Sequence, residues 1–264
     1  MTEPVLYDVE DGVATVTLNR PDNRNALTAE MSNAIIDAVD RAEADDEVRC
    51  LVITGREGTF CAGGDVNSMM EMMSGAAELH EAVERIQHNT HRAVMRVAQF
   101  HLPTVAKVDG VAYGAGANLA IAADVPVAST DASISFGFRQ VGLAVDSGTS
   151  YLLPRIVGEN KAKELVFTGE MLSAEEAGDE GIFNHVYDAD AFDEQADDLV
   201  ETIATGPTIA LRTSKQAISQ GLNMSLKEAL DNEAALQAQV FATADHEEGA
   251  TAFMEGRAPD FQGE

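Results

Sequence analysis

The sequence predicts an α/β fold in which strands and helices alternate up to about Ser150 and helices dominate beyond it. Three observations carry that expectation. Apolar runs of strand length recur between stretches with helical spacing. Two glycine-rich loops, Phe60-Cys-Ala-Gly-Gly-Asp-Val66 and Gly110-Val-Ala-Tyr-Gly-Ala-Gly-Ala-Asn118, each follow such a run. After Ser150, helix caps and amphipathic spacing replace the strand signals. Strands alternating with helices imply parallel β-α-β units, with ligands near the carboxyl ends of the strands.

Taken in order, Val13-Ala-Thr-Val-Thr-Leu18 alternates as a strand does, after a turn at Asp11-Gly12. Arg20 to Asn25 reads as a loop. Thr28 then caps a helix whose apolar residues Met31, Ile35, Ile36 and Val39 share one face. Arg49 to Thr54 is a buried strand ended by Gly55, and a long helix is expected over Ala76 to Phe100. Pro103 precedes a strand over Thr104 to Val108. A helix opens near Ala115, and a strand follows over Val125 to Ser129. Ser173-Ala-Glu-Glu176 and Ser225-Leu-Lys-Glu228 fit capping boxes, the second opening an amphipathic helix expected to reach Ala244. The organisation expected is a core over residues 1–200 and a helical region over 201–264.

With 264 residues and 45% hydrophobic composition, the chain can bury a full core. Met1-Thr-Glu-Pro lacks the basic-then-apolar start of a secretion signal, and no apolar run reaches spanning length. A cytoplasmic protein without membrane partners is therefore expected. Cys50 and Cys61 do not suggest a disulfide framework, and no His and Cys residues cluster at metal-ligand spacing. Charge is the unusual property. Lys and Arg number 17 against 45 Asp and Glu, a net charge of -28, which repels nucleic acid. The carboxylates are spread along the chain (Glu43 to Glu47, Asp188 to Asp198, Asp245 to Glu248) rather than gathered in a tail. At about 1 M salt the Debye length falls to roughly 3 Å and self-repulsion is screened, so the composition suits a salt-rich cytoplasm.

Small residues in a loop leave backbone N–H groups uncovered, and two converging N–H donors can hold a developing oxyanion. Taken singly, either glycine-rich loop could be only a tight strand-to-helix turn. Asp146, in Gly142-Leu-Ala-Val-Asp-Ser-Gly-Thr-Ser150, adds the carboxylate that proton transfer beside a carbonyl requires. Its alternative role is a helix N-cap, for which Asp-Ser-Gly is suitable sequence. Asp65 stands where a helix opens, a position the helix dipole favours for a carboxylate. Tyr113, Phe136, Phe138, Met69, Met70, Met72 and Met73 are candidates for the core or for an apolar pocket. His80, His88, His91 and His101 read as solvated or core positions.

The ordered motifs resemble the crotonase superfamily of enoyl-CoA hydratases and isomerases. They comprise Leu18-Asn-Arg-Pro-Asp-Asn-Arg-Asn-Ala-Leu27, Phe60 to Asp65, Lys107 to Gly116, Leu152-Leu-Pro-Arg-Ile-Val-Gly158, Phe167-Thr-Gly-Glu170, Ser214-Lys-Gln-Ala-Ile218 and Gly249-Ala-Thr-Ala-Phe253. The resemblance implies a crotonase spiral of β-β-α units with a helical C-terminal trimerisation region. It implies an acyl-CoA thioester as partner and substrate, a homotrimer or dimer of trimers, and no cofactor beyond the CoA of the substrate. It places the oxyanion hole on the N–H groups of Gly64 and Ala115. Substrate or CoA contacts fall on Arg24, Ala26, Ala62, Asp65, Val66, Asn118 and Phe138. Arg257 lies in the region where the family carries a CoA-contacting Lys.

Two departures narrow the expectation. Hydratases of this family place one catalytic Glu where this chain has Asn118 and a second where it has Phe138. Asn118 cannot ionise and Phe138 has no proton to exchange, so the acid–base pair for hydration is absent. Asp146 lies where hydratases usually carry Gly, which is similar to members that isomerise dienoyl- or ring-epoxide acyl-CoA compounds. An aryl-CoA dehalogenase of the superfamily uses a comparably placed Asp as nucleophile. The expected activity is an acyl-CoA isomerase with Asp146 as its catalytic base. The alternatives are an enoyl-CoA hydratase and a non-catalytic acyl-CoA-binding homologue.

Overall fold

The computed structural model describes residues 3–75 and 78–264, without the side chains of Val66, Ser68, Met69 and Met72. The strands are β1 (Val5–Glu10), β2 (Val13–Leu18), β3 (Cys50–Gly55), β4 (Thr104–Val108), β5 (Val111–Tyr113), β6 (Val125–Ser129), β7 (Ser133–Ser135), β8 (Leu172–Ser173) and β9 (His185–Tyr187). The helices are α1 (Ala29–Glu43), α2 (Val66–Met73), α3 (Leu79–Arg85), α4 (His91–Ala98), α5 (Ala115–Ile121), α6 (Thr149–Val157), α7 (Glu159–Thr168) and α8 (Ala174–Asp179). They continue with α9 (Phe192–Ala204), α10 (Thr208–Gly221), α11 (Leu226–Val240) and α12 (Ala244–Glu255).

Six strands form one sheet in the order β1-β2-β3-β4-β6-β9, and β5-β7-β8 form a second. The β1–β2 hairpin is antiparallel and turns at Asp11 and Gly12, both at positive φ. From β2 onward every pair in the large sheet is parallel. Burial on both faces explains why β3 reads as a nearly continuous apolar run, and β4 is buried along its length although it carries Thr104 and Lys107. Helix α1 lays Met31, Ile35, Ile36 and Val39 into the main core, and the Thr28 hydroxyl accepts the Met31 N–H as its cap. Both expected capping boxes form, at Ser173 with Glu176 and at Ser225 with Glu228.

Three expectations change. The helix expected over Ala76 to Phe100 is broken into α3 and α4 by a π-turn over Ile86–Thr90, and Ala76 lies outside the described residues. The helix expected to reach Ala244 ends at Val240, because Thr243 caps a new one through the His246 N–H. Met70 and Met73 are exposed rather than core, while Met69 and Met72 lie outside the described side chains.

Helix α9 crosses the expected boundary at residue 200 and belongs to the core, since Phe192, Ala196, Val200 and Ala204 pack on Cys50, Val52, Val105 and Val127. Beyond it, polar contacts dock the C-terminal helices. Arg49 donates to the Thr208 hydroxyl at 2.8 Å and to the Gly206 carbonyl at 2.7 Å. Lys215 meets Asp124 at 2.6 Å and donates to the Leu102 carbonyl. Both cysteines are free and buried. Among the described residues no helix is long and apolar enough to cross a membrane.

Candidate active site

The two glycine-rich loops lie against each other. The Cys61 N–H donates to the Val111 carbonyl at 3.0 Å, and the Tyr113 N–H donates to the Cys61 carbonyl at 2.9 Å. These bonds form a short parallel bridge between Cys61 and Ala112. Gly63 has φ +93°, and a Cβ there would stand 2.6 Å from the Tyr113 carbonyl oxygen and 3.6 Å from the Ala115 nitrogen. At Gly116 a Cβ would meet the Cys61 carbonyl oxygen at 2.2 Å. Glycine at both positions is what lets the loops touch.

Gly64 and Ala115 consequently face one cavity of about 300 Å³. Among the described residues, neither N–H makes a hydrogen bond. From the other side, the Arg20 to Leu27 loop braces the first glycine-rich loop: the Ala62 N–H donates to the Arg24 carbonyl and the Leu27 N–H to the Gly63 carbonyl. Asn25, fully buried, pins that brace by donating to the Thr59 carbonyl at 2.7 Å and accepting the Arg20 N–H.

The rest of the wall comes from segments outside the glycine-rich loops. Phe138, Val141 and Leu143 come from the turn after β7, and Arg85, Ile86, Asn89 and Thr90 from the end of α3 and the π-turn. Phe138 stands over the second loop, within 4 Å of where a Cβ on Gly114 would sit. Asp146 reaches the same cavity. Its carboxylate is not a helix cap, because α6 begins after Gly148 and no side chain caps it. Instead Oδ1 accepts the Ser147 N–H and meets Nε2 of His91.

The Asp146 main-chain carbonyl accepts from the Thr149 hydroxyl at 2.8 Å and from Nδ2 of Asn118 at 3.1 Å. Asn118 is fully buried, and its Nδ2 amino group, with two N–H donors to share, also lies within hydrogen-bond distance of the Gly114 carbonyl and the Thr149 hydroxyl. The amide that replaces the hydratase carboxylate thus ties the second glycine-rich loop to the Asp146 loop.

Of the residues expected to contact substrate, Ala62, Asp65 and Phe138 line the cavity with Gly64, Ala115 and Asp146. Asp65 also accepts the Asn67 N–H at the start of α2. Arg24, Ala26 and Asn118 are not on its wall, and the Val66 side chain lies outside those described. Arg257 is held by Glu248 at 2.6 and 2.8 Å and by Glu255 at 2.8 Å. These bonds, with the Asp260 N–H, pull the Glu248 carboxyl down to about 2. Burial pushes the Cys61 thiol up to about 12, so the cysteine beside the loops is no nucleophile.

Sequence reasoning missed Arg85, Ile86, Asn89, Thr90 and His91. Their only signal is their place within an apparent helix.

The whole chain can now be set beside known proteins. The Enoyl-CoA hydratase/isomerase family model matches residues 8–264. The chain belongs to this family. It is 38% identical to a 1,2-epoxyphenylacetyl-CoA isomerase from Escherichia coli, over 100% of both chains. It is 33% identical to a trans-2-decenoyl-[acyl-carrier-protein] isomerase from Streptococcus mutans, over 98% of each. An enoyl-CoA hydratase structure from Bacillus anthracis superposes with a TM-score of 0.92 at 28% identity, covering 99% of this chain and 100% of that one. The fold is accordingly the crotonase fold, and an acyl-CoA thioester fits the family as substrate.

Proposed function

We propose that the chain is an acyl-CoA isomerase that moves a proton along the acyl group through an enolate. The observation that carries this reading is the placement of Asp146 on the same cavity as the Gly64 and Ala115 N–H groups, while the two hydratase carboxylate positions hold a buried amide and a phenyl ring. The thioester oxygen accepts both N–H groups, each contributing about 3 kcal/mol as charge develops on that oxygen. With the carbonyl polarised, the acyl C–H becomes acidic enough for Asp146 to remove its proton. The resulting enolate or dienolate stays on the two donors. Asp146 then returns the proton to a different carbon, so protons and electrons balance without a redox or metal cofactor. The isomerase names of the Escherichia coli and Streptococcus mutans relatives support the same direction.

Purified protein offered unsaturated, epoxide and aryl acyl-CoA thioesters in molar salt should give products of unchanged mass with altered ultraviolet spectra. A gain of 18 mass units at a rate ordinary for hydratases would replace this reading with hydration by Asp146 and water. Binding without turnover of any thioester would leave a non-catalytic acyl-CoA-binding protein.

Two further readings concern the molecule rather than the reaction. The accessible surface is 13983 Å², against about 11,100 Å² expected for a compact monomer of this mass. Ile218, Leu222, Leu226, Phe241 and Phe253 on or beside α10, α11 and α12 are all exposed. A homotrimer or pair of trimers would cover them, and light scattering at high salt should exclude a 28.0 kDa monomer. The net charge of -28 also calls for screening. The melting temperature should rise by many degrees from dilute buffer to molar KCl, and a salt-indifferent melt would remove the salt-rich cytoplasm from the account.

A further inference from the structure

The π-turn over Ile86–Thr90 inserts an extra residue between α3 and α4. Ile86, Asn89 and Thr90 line the cavity, and the next residue, His91, meets Asp146. In an uninterrupted α-helix each residue turns by about 100°, so deleting the extra one would carry His91 onto another face. The irregular turn is therefore coupled to the contact with the carboxylate. π-Turns of this kind concentrate at functional sites.

The carboxylate itself is engaged unevenly. Oδ1 receives both the Ser147 N–H and His91, whereas among the described residues Oδ2 has no hydrogen-bond partner. A carboxylate free to rotate about Cβ–Cγ would exchange its two oxygens. Two partners on Oδ1 stop that rotation and leave Oδ2 available in the cavity. Fold stability does not account for the pair: the side chains are 43% and 29% exposed, and ion pairs at such exposure contribute little. Beyond Asp146, His91 also lines a second cavity of about 650 Å³, so other side chains fit at its position.

We propose that His91 is the positioning residue for Asp146, its Nε2–H holding Oδ1 so that Oδ2 meets the acyl chain. The role assigned to Asp146 rests on the isomerase reading, but the hydrogen bond does not. With Nε2 as the donor, the ring holds the carboxylate and no proton leaves it during turnover. His91 acts through the carboxylate and touches no reacting atom.

The test combines kinetics with nuclear magnetic resonance of the imidazole ring. In the unmodified protein the His91 Nε2–H proton should resonate far downfield, and Asp146→Ala should remove it from that region. This readout needs no turnover. With a thioester that the protein isomerises, His91→Leu should lower kcat by about 10- to 100-fold, the usual loss on removing an orienting partner, with KM unchanged. His91→Gln, whose side-chain amide donates from a similar position, should recover most of that loss. Equal binding of a saturated acyl-CoA by all three proteins shows that each is folded.

Wild-type kcat in His91→Leu overturns the proposal, as does a Gln variant as slow as the Leu variant. An Nε2 that carries no proton overturns it too. A protein inert toward every thioester that still shows the downfield proton keeps His91 as the anchor of Asp146 and removes the isomerase reading instead.

Discussion

Two glycine-rich loops, with Ala62 to Asp65 and Tyr113 to Ala115, form one wall of the cavity, whereas Arg85, Ile86, Asn89, Thr90, Phe138, Val141, Leu143 and Asp146 form the other. The first wall is laced by the Cys61–Val111 and Tyr113–Cys61 hydrogen bonds and braced by the Leu27 N–H on the Gly63 carbonyl. The second wall depends on contacts such as His91 with Asp146, between residues 55 apart in sequence. Under the proposed function the backbone wall holds the negative charge, and it tolerates no Cβ at Gly63 or Gly116. Under that same function the side-chain wall sets which proton moves, and its residues can change with less damage to the fold. Substitutions at the first wall should therefore cost folding, and those at the second chiefly chemistry.

The largest effect is expected from breaking the backbone wall. Gly116→Ala drives a Cβ to 2.2 Å from the Cys61 carbonyl oxygen, so the loops must part. Stability should fall by about 3 kcal/mol, and a displacement near 1 Å of Ala115 should lower turnover by about 10². Chemical denaturation and kinetics on one preparation check both. A stable, fully active Gly116→Ala would show that the contact between the loops does not set the oxyanion geometry.

Asp146→Asn attacks the other wall and should separate chemistry from folding. The side chain keeps its shape, and its Oδ1 can still accept the Ser147 N–H. Isomerisation should drop by about 10² or more while acyl-CoA affinity and melting temperature stay near wild type. Full turnover in this variant would end the role of Asp146 as base. A collapse of the melting temperature would instead make the side-chain wall as structural as the backbone one.

The same contrast explains what could be read in advance. Both glycine-rich loops, the alternating β2, the Thr28 cap and the Ser173 and Ser225 capping boxes are local signals, each written within a few residues. Asp146 stands out in the sequence as a lone carboxylate after those loops, and it lines the cavity. His91 does not stand out, because a π-turn has no composition of its own and a continuous helix is the simplest reading of its sequence. Arg257, in the region where the family carries a CoA-contacting Lys, has its guanidinium held by Glu248, nine residues earlier. Asn118, which the resemblance sets among the substrate contacts, is buried and donates to carbonyls from both walls. Such outcomes depend on which distant segments meet, and a single sequence does not state that.

Asn118 joins the two walls, so its substitution should fall between the first two cases. Asn118→Ala removes the side-chain donor shared by the Gly114 and Asp146 carbonyls, which keep the Asn118 N–H and the Thr149 N–H and hydroxyl, so the cost should be about 1 kcal/mol. Asn118→Asp should cost more, because it sets a buried carboxylate against two carbonyl acceptors. If the Asp variant proved as stable as wild type, the amide would not be the tie between the walls.

The smallest effect is expected at Ser147, where the side-chain wall has its own backbone strain. Its φ is +54°, a left-handed conformation that costs a serine about 1 kcal/mol, and its buried hydroxyl has no hydrogen-bond partner among the described residues. Ser147→Gly removes both penalties but adds the entropy a glycine loses on folding, roughly 0.5–1 kcal/mol. The net should be a slight gain, on the order of 0.5 kcal/mol, visible as a melting temperature about 2 °C higher. The residue 147 N–H still donates to Asp146 Oδ1, and His91 still holds the same oxygen, so turnover should change by no more than about twofold. A higher melting temperature with turnover lost would mean that the strained main chain at Ser147, rather than the imidazole of His91, aims the carboxylate. The second wall would then be set by backbone as firmly as the first.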